Sequence, residues 1–335
     1  MTTSREIVLQ TLEFRNPERA PRDLWLLPWA TDNFPEEVKK IQKDFPSDFD
    51  RAPGFLKVPF ECGNLYEIGT AKDEWGCEFE NKVKGIIGEV KNPIVKDEDW
   101  ADFSNVKIPR ELLEINIEKI NDFCKNTDKF VFGGCTPRPF EQLQFIRGTE
   151  DLYVDIALES EGLNKALKIM HEFYCELMEV WAKTDVDALN MMDDWGSQNS
   201  LLISPKAWVK LFKPCYKDYI DIAHSHGKKI FMHSDGYILD IIPHLIELGL
   251  DAVNSQVFCM GLENLEQYAG KITFWGEIDR QHILPYGTKD EVQNAVLKAK
   301  KHLWKNGGAI AQCEFSIGSS PDNVYEVFNT WQKEI

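Results

Sequence analysis

The chain has 335 residues, 43% of them apolar, which suits one α/β barrel with insertions and a sizeable core. Its 55 acidic against 38 basic residues leave a formal charge of −17, which argues against gripping a phosphate backbone or anionic lipid and disfavours a polyacidic substrate. The opening segment MTTSREIVLQ lacks the apolar core of a secretion signal, no run reaches the ~18 apolar residues of a membrane span, and the eight cysteines, from Cys62 to Cys313, include no CxxC; the expectation is a cytoplasmic protein with reduced thiols, most of them small core residues.

In chain order, RDLWLLPW (22–29) reads as a strand. Residues 35–110 are irregular and rich in Pro, Gly and aromatics. They are expected as an insertion capping a barrel mouth, with a small sheet around DEWGCEFENKVKGIIGEV. KFVFGGCT (129–136) is the next strand. After it, ALNMMDDWG (188–196), KIFMHSDG (229–236), DAVNSQ (251–256), ITFWGEID (272–279) and AIAQCEF (309–315) alternate with amphipathic stretches. The stretch 205–227 opens on Ser204-Pro205, an N-cap followed by proline, and closes on Gly227; Pro214 should kink it or split it in two. The stretch 237–249 ends on Gly249. The stretch 289–308 follows Thr288, is acidic first and basic last, and ends on glycine, as the helix dipole favours. Strand and helix alternating this often imply a parallel sheet. An open doubly wound sheet is disfavoured, because no Gly-rich phosphate loop follows an early strand.

In a parallel barrel the carboxyl ends of the strands share one face. Those ends carry Asp193 and Asp194, His233 and Asp235, Asn254 and Gln256, Glu277 and Asp279, and Cys313 and Glu314. Imidazole, thiolate and carboxylate are zinc ligands. His233, Cys313 and either Glu277 or Asp235 would supply three and leave the fourth position open, as catalytic zinc requires. Each residue also has a plainer role: a hydrogen-bonded structural histidine, a core cysteine, an aspartate capping the next helix. Five strand ends converging on one rim weigh toward chemistry. His224 and His226 sit at a helix end as surface residues, and His171, His244, His282 and His302 have no evident partner.

Four segments resemble the uroporphyrinogen decarboxylase superfamily, in the right order and over nearly the whole chain. They are SREIVLQTLEFRNPERAPRDL, PFEQLQFIRGTEDLYVDI, the run from ISPKAW through KIFMHSDG to VNSQ, and FWGEIDRQHILPYGTKDEV. The resemblance implies a (β/α)8 TIM barrel. The superfamily's decarboxylases carry an early arginine-bearing stretch for substrate carboxylates; the comparable stretch here, DLWLLPWATDNFP (23–35), has no arginine. Its other branch comprises zinc methyltransferases that work with corrinoid proteins, with a motif H-x-C and a distant Cys. The matching positions here are His233, Asp235 and Cys313, so aspartate replaces the first cysteine. Carboxylate in place of thiolate makes zinc a stronger Lewis acid, suited to an ether oxygen.

The resemblance therefore implies demethylation of a methyl ether, a methoxylated aromatic. The methyl group would pass to the Co(I) centre of a separate corrinoid protein, since the chain has no DxHxxG segment of its own. Asp193 or Asp194 would position the substrate or protonate the leaving oxygen. Trp25, Trp29, Asn254 and Trp275 would line the substrate pocket. Between the two candidate carboxylate ligands, the extra methylene of Glu277 favours it, with Asp235 then orienting a ligand or a bound water. The alternatives are a metal-free decarboxylase of a carboxylated tetrapyrrole or smaller acid, and a non-catalytic corrinoid-binding barrel. No nucleic acid or membrane partner is expected.

Overall fold

The computed structural model describes residues 2–56 and 63–333; Cys62 lies outside the described residues. In chain order the strands are β1 (Arg22–Leu26), β2 (Phe49–Arg51), β3 (Gly69–Lys72), β4 (Glu78–Asn81), β5 (Glu89–Val90), β6 (Phe130–Phe132), β7 (Ala188–Met192), β8 (Lys229–Ser234), β9 (Ala252–Ser255), β10 (Thr273–Trp275) and β11 (Ala309–Phe315). Eight of them form one parallel sheet in the order β1-β11-β10-β9-β8-β7-β6-β2, with helices between them. The fold is a (β/α)8 TIM barrel.

The seam between β1 and β2 is closed largely by one side chain. Asp48 N donates to Arg22 O (2.9 Å), and Asp48 Oδ2 accepts from Arg22 N (2.7 Å). The Arg19 guanidinium brackets the same buried carboxylate at 2.6 and 2.7 Å. A bidentate arginine, the Arg22 amide and the Ser4 hydroxyl (2.6 Å to Oδ1) together saturate the carboxylate.

Alternation along each strand sorts the chain into two apolar layers. Phe49, Phe130, Phe132, Ala188, Phe231, Ala252, Trp275 and Ile310 point into the barrel. Val131, Leu189, Ile230, Met232, Val253, Phe274 and Ala311 point out against the helices. The helix Ser4–Leu12, started by a Thr3–Glu6 capping box, sends Val8 and Leu12 up into the floor. Above them the aromatic rings fill the interior, with Phe132 stacked on Trp275 at 5.5 Å. Burying each such side chain is worth ~1.5–3 kcal/mol. Among the described residues the barrel interior is filled with apolar side chains from the floor up to the rim at the carboxyl ends.

Pro214 splits the 205–227 stretch as expected, into helices Pro205–Leu211 and Lys213–Ser225. Gly249, at φ 88°, ends the helix Ile242–Leu248. The antiparallel sheet β3-β4-β5 sits where a small sheet was expected. The boundaries of the insertion differ. Helix Pro35–Asp44 and strand β2 fall inside the stretch 35–110 yet belong to the barrel. β2 spans only Phe-Asp-Arg, too short to show an alternating pattern. Among the described residues no helix is long and apolar enough to cross a membrane.

At the floor end, Asp251 ties the approach to β9 onto β8. It accepts from Ile230 N (2.9 Å) and pairs with Lys229 Nζ (3.2 Å) and His224 Nε2 (3.0 Å). Burial raises its pKa, but His224, Lys229 and the Ile230 amide outweigh burial and the net shift is downward. A carboxylate with a depressed folded pKa stabilises above its unfolded value and loses that contribution as pH falls through the folded one. Asp251→Asn should therefore lower stability at pH 7. The gap from wild type should shrink below about pH 4, where the aspartate itself is protonated. Urea midpoints of the two proteins across that range test it; a gap that widens on acidification contradicts the assignment.

Candidate functional site

The polar rim lies directly above the aromatic layer. His233 has the parity of Phe231 on β8, so its ring points into the barrel, with 14% of the side chain exposed. Asn254, opposite it on β9, holds it: His233 Nδ1 lies 2.6 Å from Asn254 Oδ1. Asn254 Nδ2 donates to the Trp275 carbonyl, which fixes the amide with Oδ1 as the acceptor. Nδ1 therefore carries a proton and Nε2 faces the mouth. Nε2 lies 3.5 Å from Asp194 Oδ1 and 3.7 Å from Asp235 Oδ1. Ligand atoms of these three residues lie within 4.8 Å of one another.

The two aspartates come from adjacent strand ends locked together, with Asp235 N donating to Asp194 Oδ1 (2.9 Å). Glycine permits that approach. A Cβ on Gly196 would sit 2.3 Å from Tyr237 N, and Gly236, at φ 77°, faces it. Burial opposes charge on His233. The carboxylates of Asp194, Asp235 and Glu277, with the Asn254 hydrogen bond, outweigh it and raise the pKa.

Arg280 was not anticipated from the sequence, because it stands in the loop beyond β10 rather than at a strand end. Its guanidinium hydrogen-bonds Asp235, lies 3.1 Å from Glu314 and 3.7 Å from Glu277 Oε2. Glu277 is 2% exposed, and neither of its carboxylate oxygens has a hydrogen-bond partner among the described residues. Burial drives its pKa up, Arg280 opposes this, and Asp235 and Glu314 add to the rise. A cavity of about 240 Å³ opens beside this group, lined by Gln256, Phe258, Cys259, Glu277, Arg280 and His282 among others.

The structure does not bring every expected site residue here. Cys313 lies on the outward face of β11 with Ala309, Ala311 and Phe315, fully buried against the helices. Its neighbour Glu314 takes the inward position. The thiol expected as a ligand is thus one residue out of phase. Asp193, expected as a reacting group, is fully buried. It accepts from Glu141 N (2.7 Å) and Tyr216 OH (2.6 Å), and burial pushes its carboxyl well above the usual range. Asn254 orients His233 rather than facing the mouth. Trp275 is 2% exposed, packs in the barrel interior and donates to the buried Asp23 carboxylate (2.9 Å). Trp25 donates to the same Asp23 (2.8 Å) and lies 5.2 Å, centroid to centroid, from the His233 ring. Trp29 packs edge-on to Phe34 at 5.6 Å.

An eight-stranded parallel barrel whose ionisable groups gather at the carboxyl rim is the layout of barrel proteins that carry their chemistry on that face. The chain belongs to the uroporphyrinogen decarboxylase (URO-D) family, whose model matches residues 65–333. Among solved structures it is similar to a methyltransferase from Methanosarcina mazei, at 15% identity and a TM-score of 0.68, covering 99% of this chain and 98% of that one. A 3-keto-D-glucoside 4-epimerase from E. coli aligns at 13% identity and TM-score 0.38, covering 66% of this chain and 85% of that one. An endo-beta-1,4-xylanase from Gloeophyllum trabeum aligns at 10% identity and TM-score 0.45, covering 95% and 98%. No curated protein matches the sequence.

The placement of the paired aspartates separates bracing from chemistry. Asp193→Ala should remove two buried hydrogen bonds and cost on the order of 2–3 kcal/mol. Asp194→Ala, at a side chain 35% exposed, should cost about 1 kcal/mol or less. Denaturant unfolding of the two variants measures the difference; equal losses would contradict it.

Proposed function

We propose that this chain is a methyltransferase that removes the methyl group of a methyl ether and passes it to the Co(I) centre of a partner corrinoid protein, with zinc held at the rim. The observation that carries the reading is the His233 cluster: an imidazole whose Nδ1 is pinned by Asn254 presents Nε2 between Asp194 and Asp235. Family membership and the whole-length likeness to a methyltransferase support it.

The donor set fits a divalent cation. With Glu277 protonated, three carboxylates, Asp194, Asp235 and Glu314, face Arg280 and His233. Partly buried carboxylates gathered round one imidazole nitrogen suit a bound cation. His233 Nε2, Asp235 and Asp194 would hold zinc, with nitrogen and oxygen donors in place of thiolate. When bound, zinc supplies Lewis acidity toward an ether oxygen.

The chain's own residues do the rest. Asn254 keeps the imidazole in one tautomer. Glu277 lines the cavity and holds a proton above the usual carboxylate range, so it can give that proton to the departing oxygen. Asp194 orients both His233 and the Asp235 loop. Trp25 offers an apolar wall beside His233 for the face of a methoxylated ring. The decarboxylase alternative needs a cation free to hold a substrate acid. Arg280 is taken by its three carboxylates and Arg138 lies 3.5 Å from Glu141 and 3.8 Å from Glu74. Among the described residues the cation left for that role is Arg51, at the carboxyl end of β2 over the Phe132 ring at 5.4 Å. The decarboxylase reading predicts that Arg51→Ala abolishes activity, and the methyltransferase reading that it does not.

Elemental analysis of the purified protein should find zinc that depends on His233 and Asp235. His233→Ala and Asp235→Asn should each lose one equivalent, Asn254→Ala should weaken binding about 10- to 100-fold, and Cys313→Ala should retain it. Demethylation of an aryl methyl ether should require added corrinoid protein in the Co(I) state. Wild type without zinc, or zinc lost with Cys313 and kept without Asp235, overturns the metal assignment. Turnover by the chain alone overturns the partner.

A further inference from the structure

Away from the barrel mouth, three chemically different ligand side chains meet on the outer surface. His171 and Cys175 stand one turn apart on the helix Glu161–Ala182, and Asp218 reaches across from the helix Lys213–Ser225. His171 Nε2 lies 3.0 Å from Asp218 Oδ2, and Cys175 Sγ lies 3.6 Å from the same Nε2. Ligand atoms of all three lie within 4.8 Å of one another. His171 Nδ1 is 3.1 Å from the hydroxyl of Tyr219, which is fully buried.

From this arrangement we propose a second metal site, in which His171 Nε2, Cys175 Sγ and Asp218 Oδ2 bind a borderline-soft divalent ion such as zinc and staple the two helices together. The spacing supports it. With zinc bonds of about 2.0–2.1 Å to nitrogen, 2.3 Å to sulfur and 2.0–2.2 Å to oxygen, tetrahedral geometry sets nitrogen and sulfur roughly 3.6 Å apart and nitrogen and oxygen roughly 3.4 Å apart. The Nε2–Sγ separation here is 3.6 Å and the Nε2–Oδ2 separation, a hydrogen bond without the ion, is 3.0 Å. Cys175 Sγ, now 3.7 Å from Nδ1, has to turn toward the Nε2 lone pair and Asp218 has to move back slightly to admit the ion. The supporting contact is also of the kind metal-bound histidines make, with Tyr219 OH available to accept from Nδ1–H and hold Nε2 toward the ion.

A nucleophilic thiol relayed by His171 to Asp218 is the rival use of the same residues. It fails on protonation. The Asp218 carboxylate only accepts, so at 3.0 Å it keeps a proton on Nε2, and Nδ1 is engaged by the Tyr219 hydroxyl. Neither nitrogen is a base waiting for the thiol proton, whereas an ion can displace the proton on Nε2. On binding an ion, the ring changes from its Nε2–H to its Nδ1–H form, with Nδ1–H donating to Tyr219 OH, and the thiol gives up its proton to solvent so that the sulfur joins the carboxylate as an anionic ligand. The neighbouring Cys215 is not part of the set, since its thiol turns to the Leu211 carbonyl at 3.7 Å.

The site is independent of the one proposed at His233, and the two differ in one readable way: only the helix site contains sulfur. The test is the absorption spectrum of the full-length protein, stripped with chelator under reducing conditions and titrated with Co(II). A thiolate-to-cobalt charge-transfer band in the near ultraviolet should appear in wild type. It should persist in His233→Ala and Cys215→Ser, vanish in Cys175→Ser, and fall at least tenfold in apparent affinity in Asp218→Asn. Because Asp218 is 55% exposed, that last variant guards against loss of fold. No band in wild type, or a band that survives Cys175→Ser, overturns the proposal. A band lost with His233→Ala would place the thiolate at the barrel mouth and overturn it equally.

Discussion

The parity of strand residues in a closed barrel governs everything at the mouth. Each strand turns alternate side chains inward, and closure leaves no freedom to reverse that choice on one strand without shifting its register against both neighbours. On β11 the choice falls between Cys313 and Glu314. Ile310 in the interior fixes Gln312 and Glu314 as inward and sends the thiol to the helices. Trp25 pairs in register with Glu314, and Leu24 with Cys313, so β1 enforces the same assignment. One phase relation thus decides whether the rim offers sulfur or oxygen. It offers oxygen.

That choice sets the electrostatics. Asp194, Asp235, Glu277 and Glu314 share a small, partly desolvated volume, and their mutual repulsion would be costly if Arg280 did not stand among them. The Asn254 bridge matters for the same reason. It ties the imidazole to the Trp275 carbonyl through one carboxamide, so His233 cannot swing its Nε2 away from the aspartates. The hydrogen bond at Nδ1 comes from a neutral residue on the adjacent strand, so no carboxylate is used on that nitrogen.

The barrel was legible because long apolar runs alternate with capped amphipathic stretches, and seven of its eight strands announce themselves this way. β2 was hidden because three residues carry no period, and it is held by Asp48 and Arg19 rather than by a long ladder. Listing strand ends picked out His233, Asp235 and Glu277, which the structure places at the rim, but could not tell inward from outward. That needs the register of neighbouring strands, and it is why Cys313 was preferred to Glu314. Asp193 and Asp194 looked equivalent as adjacent acids. Only the tertiary structure shows Tyr216 and the Glu141 amide claiming one and His233 facing the other. Arg280 lies in a loop, where position follows from tertiary packing and no periodicity marks it.

Arg280 also bears on how a cation would enter. Its guanidinium already bonds Asp235, so a metal taking that carboxylate competes with a charge-assisted hydrogen bond rather than with water. The competition need not be symmetric. Glu314 meets a different nitrogen of the same guanidinium at 3.1 Å, and Glu277 Oε2 lies 3.7 Å from its Nε, so Arg280 keeps a carboxylate partner if Asp235 turns to a cation. The rim thus divides into two halves around Asp235: the proposed cation site toward His233 and an arginine cluster toward Glu277 and Glu314. Asp235 belongs to both, which makes the residue two positions past the histidine the point where charge at the mouth is apportioned.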